Sequence, residues 1–141
     1  MSNTKIMLAT LALGTAIAFA GPASAEKMKA TLDGASEVPA NTSAGKGTAD
    51  IDYDAATKKL TWKLTYSGLT GPATMAHFHG PAEAGKNAGV ALAIPNAGTS
   101  PAEGSATLTD AQAADLEAGK YYVNVHTAAN PGGEIRGQVT K

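Results

Sequence analysis

"KKLTWKLTYSG", residues 58–68, decides the fold class. Leu60, Trp62, Leu64 and Tyr66 alternate with Thr61, Lys63 and Thr65. Side chains of a β-strand point alternately to opposite faces, so this segment has one face for a core and one for water. The same alternation recurs outward along the chain. "KMKATLD" (27–33) reads as a first strand, and "TADIDYD" (48–54) pairs with 58–68 as a hairpin across "AATK". "MAHFHG" (75–80), "VALAIP" (90–95), "SATLT" (105–109), "KYYVNVHT" (120–127) and "GEIRGQVT" (133–140) follow, the last two as a hairpin across "AANPGG". "VALAIP" reads as a short buried strand. The clusters between these runs are rich in Gly, Pro, Asn and Ser, the residues of turns.

"TDAQAADLEAGK" (109–120) is the one helical piece. Thr109 or Asp110 can cap its N-terminus, and Gly119 can end it. The expected architecture is all-β: an antiparallel, Greek-key-like β-sandwich of seven to eight strands with one short helix. Trp62, Phe78, Val123, Val125 and Ile135 are its predicted core.

Residues 1–25 read differently. Lys5 precedes the apolar run "IMLATLALGTAIAFA", and "ASA" (23–25) is a small-x-small cleavage site. That pattern predicts a secretory signal peptide cut after Ala25, leaving residues 26–141 as one domain in the periplasm or outside the cell. No cysteine follows the run to carry a lipid, and no second apolar span follows to hold the domain in a membrane. The chain carries 11 Lys and Arg against 12 Asp and Glu, a formal net charge of −1. No basic stripe stands out, which argues against nucleic acid as a partner. With no cysteine, stability rests on core and sheet pairing, and any metal must be held by nitrogen, oxygen or thioether.

The chain has three histidines, and alternation puts them on matching faces. Phe78 and Ala76 point inward, so Met75, His77 and His79 share the other face. Tyr121, Val123 and Val125 point inward, so Tyr122, Asn124 and His126 share the outer face. Ile135 and Val139 point inward, with Glu134 and Arg136 outward. Imidazoles at i and i+2 stand about 6–7 Å apart at Cα and can reach one ion at about 2.0–2.1 Å. If the two strands are neighbours, His126 completes a three-nitrogen site with room for water or an exogenous ligand. The other reading is structural, with the histidines bonded to turn carbonyls. Met75 is either packing or a soft fourth ligand that would favour Cu(I). Arg136 can pair as a bidentate fork with Glu37 of "SEVP". No H-E-x-x-H and no Ser/His/Asp set is present, so no catalytic residue is assigned.

"LDGASEVPA", "HFHGPAEAG" and "LEAGKYYVNVHTAANPGGEIRGQV" together resemble the CHRD domain, named for chordin and widespread in bacterial exported proteins. The resemblance runs from about Leu32 to Val139. It implies an all-β sandwich with His77, His79 and His126 as signature positions. The H-x-H strand is also similar to the copper strand of copper–zinc superoxide dismutases, at the level of the fold. A dinuclear site of that type is excluded by three histidines and no cysteine. The expected function is an exported protein binding one copper ion, with zinc as the alternative metal, for storage, delivery or buffering. A copper donor or acceptor protein is the expected partner. A mononuclear copper or zinc enzyme and a protein-interaction module with structural histidines are the competing readings.

Overall fold

The structure is a computed structural model and describes residues 25–141. The segment 1–24, on which the signal peptide is read, lies outside the described residues. The elements are β1 (Glu26–Asp33), β2 (Lys46–Asp54), β3 (Lys59–Ser67), β4 (Ala73–His79), β5 (Val90–Ala93), β6 (Ala102–Thr107), α1 (Asp110–Glu117), β7 (Tyr122–Thr127) and β8 (Ile135–Gln138). All strand pairs are antiparallel. The chain is all-β with a single short helix among the described residues. No described helix is long and apolar enough to cross a membrane.

The sandwich is one sheet that curls, with strand order β5-β4-β7-β8-β1-β2-β3-β6. Its two halves, β5-β4-β7-β8 and β1-β2-β3-β6, face each other across the core. Trp62 of β3 meets Phe78 of β4 edge-to-face with ring centroids 5.2 Å apart. Such a pair adds about 0.5–1.5 kcal/mol beyond the area it buries. Leu32, Ile51, Leu60, Leu64, Val123, Val125 and Ile135 fill the rest of the interior. Each such side chain contributes about 1.5–3 kcal/mol by leaving water.

The halves join at a narrow seam between β1 and β8. Asp33 pairs with Arg136, and Lys29 exchanges backbone bonds of 2.8 and 2.9 Å with Thr140. Gly137 makes this crossing possible, because a Cβ there would collide with the Thr31 carbonyl. The helix begins as its sequence dictates. The Thr109 hydroxyl accepts from Gln112 N, the Gln112 side chain accepts from Thr109 N, and Gly119 follows at φ 74°. The Ala113 and Leu116 side chains face the core.

Two strand expectations change. "VALAIP" is not a buried strand: β5 is a four-residue edge with Val90 56% exposed, and only Ile94 beyond it is buried. β6 starts earlier, at Ala102, because its six residues pair along β3. A third difference concerns the polar faces of β7 and β8. Every residue of β7 is buried, as are Glu134 and Arg136. These faces point away from the core, as alternation requires, but loops 34–45 and 80–89 cover them.

Candidate metal centre

β4 and β7 are adjacent antiparallel strands, and their register sets the histidines together. Met75 stands opposite His126, His77 opposite Asn124, and His79 opposite Tyr122. His77 and His126 are therefore diagonal neighbours on one face, a separation long side chains readily span. His77 Nδ1 lies 3.1 Å from His126 Nε2. One ring nitrogen from each of His77, His79 and His126 lies within 4.8 Å of the other two. Nitrogens sharing an ion at 2.0–2.1 Å lie within about 4 Å of one another, so small side-chain rotations suffice to close the set.

The second nitrogens of His79 and His126 are already occupied. His79 Nδ1 lies 3.0 Å from the Ala88 carbonyl, and His126 Nδ1 lies 2.8 Å from the Pro131 carbonyl. A carbonyl only accepts, so each Nδ1 carries the proton and each Nε2 presents a lone pair, that of His126 facing His77 Nδ1. This is how backbone oxygens orient ligating imidazoles. His79 Nε2 is buried and has no hydrogen-bond partner. His79 and His126 are 8% and 6% exposed, and His77 is half-buried. Burial holds the His77 and His79 imidazoles below their ordinary value. Charge on His126 and His79 would push His77 further down, while the Ala88 carbonyl partly opposes the shift at His79. Both rings thus stay neutral, the form that binds metal.

Three imidazole nitrogens within 4.8 Å of one another, with His79 Nε2 buried and unpartnered, offer the donor type that copper and zinc take. The set contains no carboxylate and the chain no thiolate, which suits imidazole-binding metals and not calcium or magnesium. Met75 is 49% exposed and stands opposite His126 in the ladder.

The expected Glu37–Arg136 ion pair is absent. Ion pairs among the described residues are Lys27–Asp52, Lys58–Asp110 and Lys141–Glu26. Arg136 instead donates from Nη1 to Asn87 Oδ1 at 3.0 Å and from Nη2 to the Lys86 carbonyl at 2.6 Å. Its guanidinium lies 3.5 Å from the centre of the Tyr122 ring. The loop 80–89 supplies the oxygens a carboxylate was expected to supply. Glu37 is buried near the guanidinium with Oε1 unpartnered. Burial pushes its carboxyl up to about 7, against the Arg136 charge and the neighbouring Asn124 amide.

Glu134 is not an outward charge either. Its carboxylate accepts from Thr70 N and Oγ1, Thr127 Oγ1, Asn130 Nδ2 and Ser43 Oγ, fastening three loops to the start of β8. Burial raises its carboxyl, but these bonds outweigh that and hold it below the usual range.

Two partners of the histidines escaped the sequence reading. Tyr122 stacks flat on His79, with centroids 4.8 Å apart and planes at 3°, and its hydroxyl donates to the same Ala88 carbonyl. Asn124 stands between His77 and Arg136 in the ladder. Both share the outward parity of His126 in "YYVNVHT", and that parity was their available signal. The Ala88 and Pro131 carbonyls carry no side-chain signal at all.

The CHRD domain family model matches residues 28–139, nearly the whole described chain. No curated protein and no solved structure matches it. The matched span contains all eight strands but the first two residues of β1, together with all three histidines, and so the chain belongs to the CHRD domain family.

Proposed function

We propose that this chain is an exported metal-binding protein, in the periplasm or secreted, that holds one copper ion on His77, His79 and His126. The single observation that carries the reading is His79. Its Nδ1 is engaged by a backbone carbonyl, and its Nε2 is buried without a partner beside two further imidazoles. An orphaned buried nitrogen costs about 1–3 kcal/mol, and coordination removes that cost. Affinity order among divalent ions favours copper over zinc on such ligands. Zinc is the second candidate metal. Storage, delivery or buffering suits a site with its open side at half-buried His77 and exposed Met75, where a donor or acceptor protein could reach the ion.

The structural reading of the histidines is favoured by one observation, the 3.1 Å contact between His77 Nδ1 and His126 Nε2. Titration of the metal-free protein with Cu(II), Cu(I) and Zn(II), followed by electron paramagnetic resonance, tests the proposal. One equivalent of copper bound with nitrogen hyperfine structure is the expected result. Copper bound as tightly by the His77→Ala/His79→Ala/His126→Ala variant overturns it.

A further inference from the structure

We propose that Arg136 acts through Tyr122 to shift the charge preference of the histidine centre toward a monovalent ion. The inference rests on the metal reading above and adds the oxidation state the site selects. Three neutral imidazoles leave the full charge of the ion uncompensated. A buried cation stands one aromatic ring away: the guanidinium lies 3.5 Å from the Tyr122 ring centre, and the ligand ring of His79 stacks on Tyr122 at 4.8 Å.

Arg136 is 1% exposed, so water screens this charge little. Its two bonds to Asn87 Oδ1 and the Lys86 carbonyl go to neutral oxygens, which leave the charge in place. Tyr122 and His79 both engage the Ala88 carbonyl, one residue beyond Asn87. The loop therefore fixes the cation, the spacer ring and the ligand ring as one unit. Arg136 is a positioning residue that also contributes a field. Two carboxyls oppose it. Glu134 accepts from neutral hydroxyl and amide donors of Ser43, Thr70, Thr127 and Asn130, which leave its negative charge in place as well. Glu37 lies beside Asn124 with one oxygen unpartnered, and it weakens the bias when ionised.

A fixed positive charge repels Cu(II) more than Cu(I) by one unit charge, and so raises the reduction potential of bound copper. At the screening typical of protein sites, one unit charge at this remove is worth roughly tenfold in the ratio of Cu(I) to Cu(II) affinity. For a one-electron couple tenfold is about 59 mV.

The test is a mediated redox titration of the copper-loaded protein at pH 8, following the Cu(II) paramagnetic signal, with chelator competitions for each oxidation state. Arg136→Gln is expected to lower the Cu(I):Cu(II) affinity ratio about tenfold. Arg136→Lys keeps the charge without the fork and is expected to stay within about threefold of the parent. Glu37→Gln removes a negative charge and is expected to move the potential the opposite way. It also keeps the test decisive if Arg136→Gln does not fold. Equal potentials in the parent and Glu37→Gln, or equal shifts in Arg136→Gln and Arg136→Lys, overturn the inference. A parent that binds no copper instead overturns the metal reading on which it stands.

Discussion

Strands β3 and β7 carry the same alternating pattern and lead different lives. Along β3, Leu60, Trp62 and Leu64 are buried while Thr61, Lys63 and Thr65 meet water. Along β7, Val123 and Val125 are buried toward the core, and Tyr122, Asn124 and His126 are buried on the other side. Alternation states which way a side chain points, not what it meets there. On β3 the polar face meets solvent and asks little of its residues. On β7 the polar face meets loops 34–45 and 80–89, so each polar group needs a partner. Most find one. His79 Nε2, Asn124 Oδ1 and Glu37 Oε1 do not. Trp62 Nε1 is also unpaired elsewhere, but only on the roofed face do unpaired groups lie beside three imidazoles.

The sharpest way to break this contrast is to remove the side chains the two faces share or divide. Phe78→Ala empties the core beneath both strands and should cost about 3–5 kcal/mol in urea unfolding. A loss below 1 kcal/mol would mean that the two halves of the sheet do not close on this ring.

His79→Ala and His126→Ala attack the roofed face. Each should weaken copper binding by at least about 100-fold in a chelator competition. Because both rings are buried and bonded to carbonyls, His126→Ala should also lower stability by about 1–2 kcal/mol. A purely solvated histidine, such as the exposed face of β3 would carry, would show no stability change.

Glu37 sharpens the contrast through pH. Its folded-state carboxyl titrates at about 7, above its unfolded value. Its contribution is therefore fully present below about 4.3 and is lost as pH rises through about 7. Relative to the parent, Glu37→Gln should gain stability between pH 5 and 8, read from urea midpoints across that range. A difference constant with pH would place the Glu37 carboxyl in water.

At the small end, Lys63→Ala on the solvated face of β3 should change stability by no more than about 0.5 kcal/mol. A larger loss would mean that this face, too, is covered.

The local parts of this structure were legible in the sequence. The strands of 58–68 and 120–127 follow from alternation, and the Thr109 capping box follows from hydrogen bonding between residues three apart. The facing of the three histidines was legible for the same reason. Their closeness needed β4 to lie beside β7, a pairing between residues 49 apart for His77 and His126. The roof was not legible. Arg136 reaches Asn87 across 49 residues and Ser43 reaches Glu134 across 91, and nothing in a strand's own pattern announces a loop arriving from so far. The Glu37–Arg136 pairing failed on this point. Opposite charges in distant segments looked like partners, while the acceptors that won were a side-chain amide oxygen and a backbone carbonyl of an intervening loop.

The seam at Gly137 places the two ends of the domain in the middle of the sheet. β1 and β8 are neighbours at positions five and four of the strand order, whereas the free edges, β5 and β6, come from mid-chain. Trimming either end of such a chain would split the sheet at its centre instead of shortening a rim. β8 is also the last strand of the domain in sequence, and it joins the halves through β1, so closure needs both ends of the domain together.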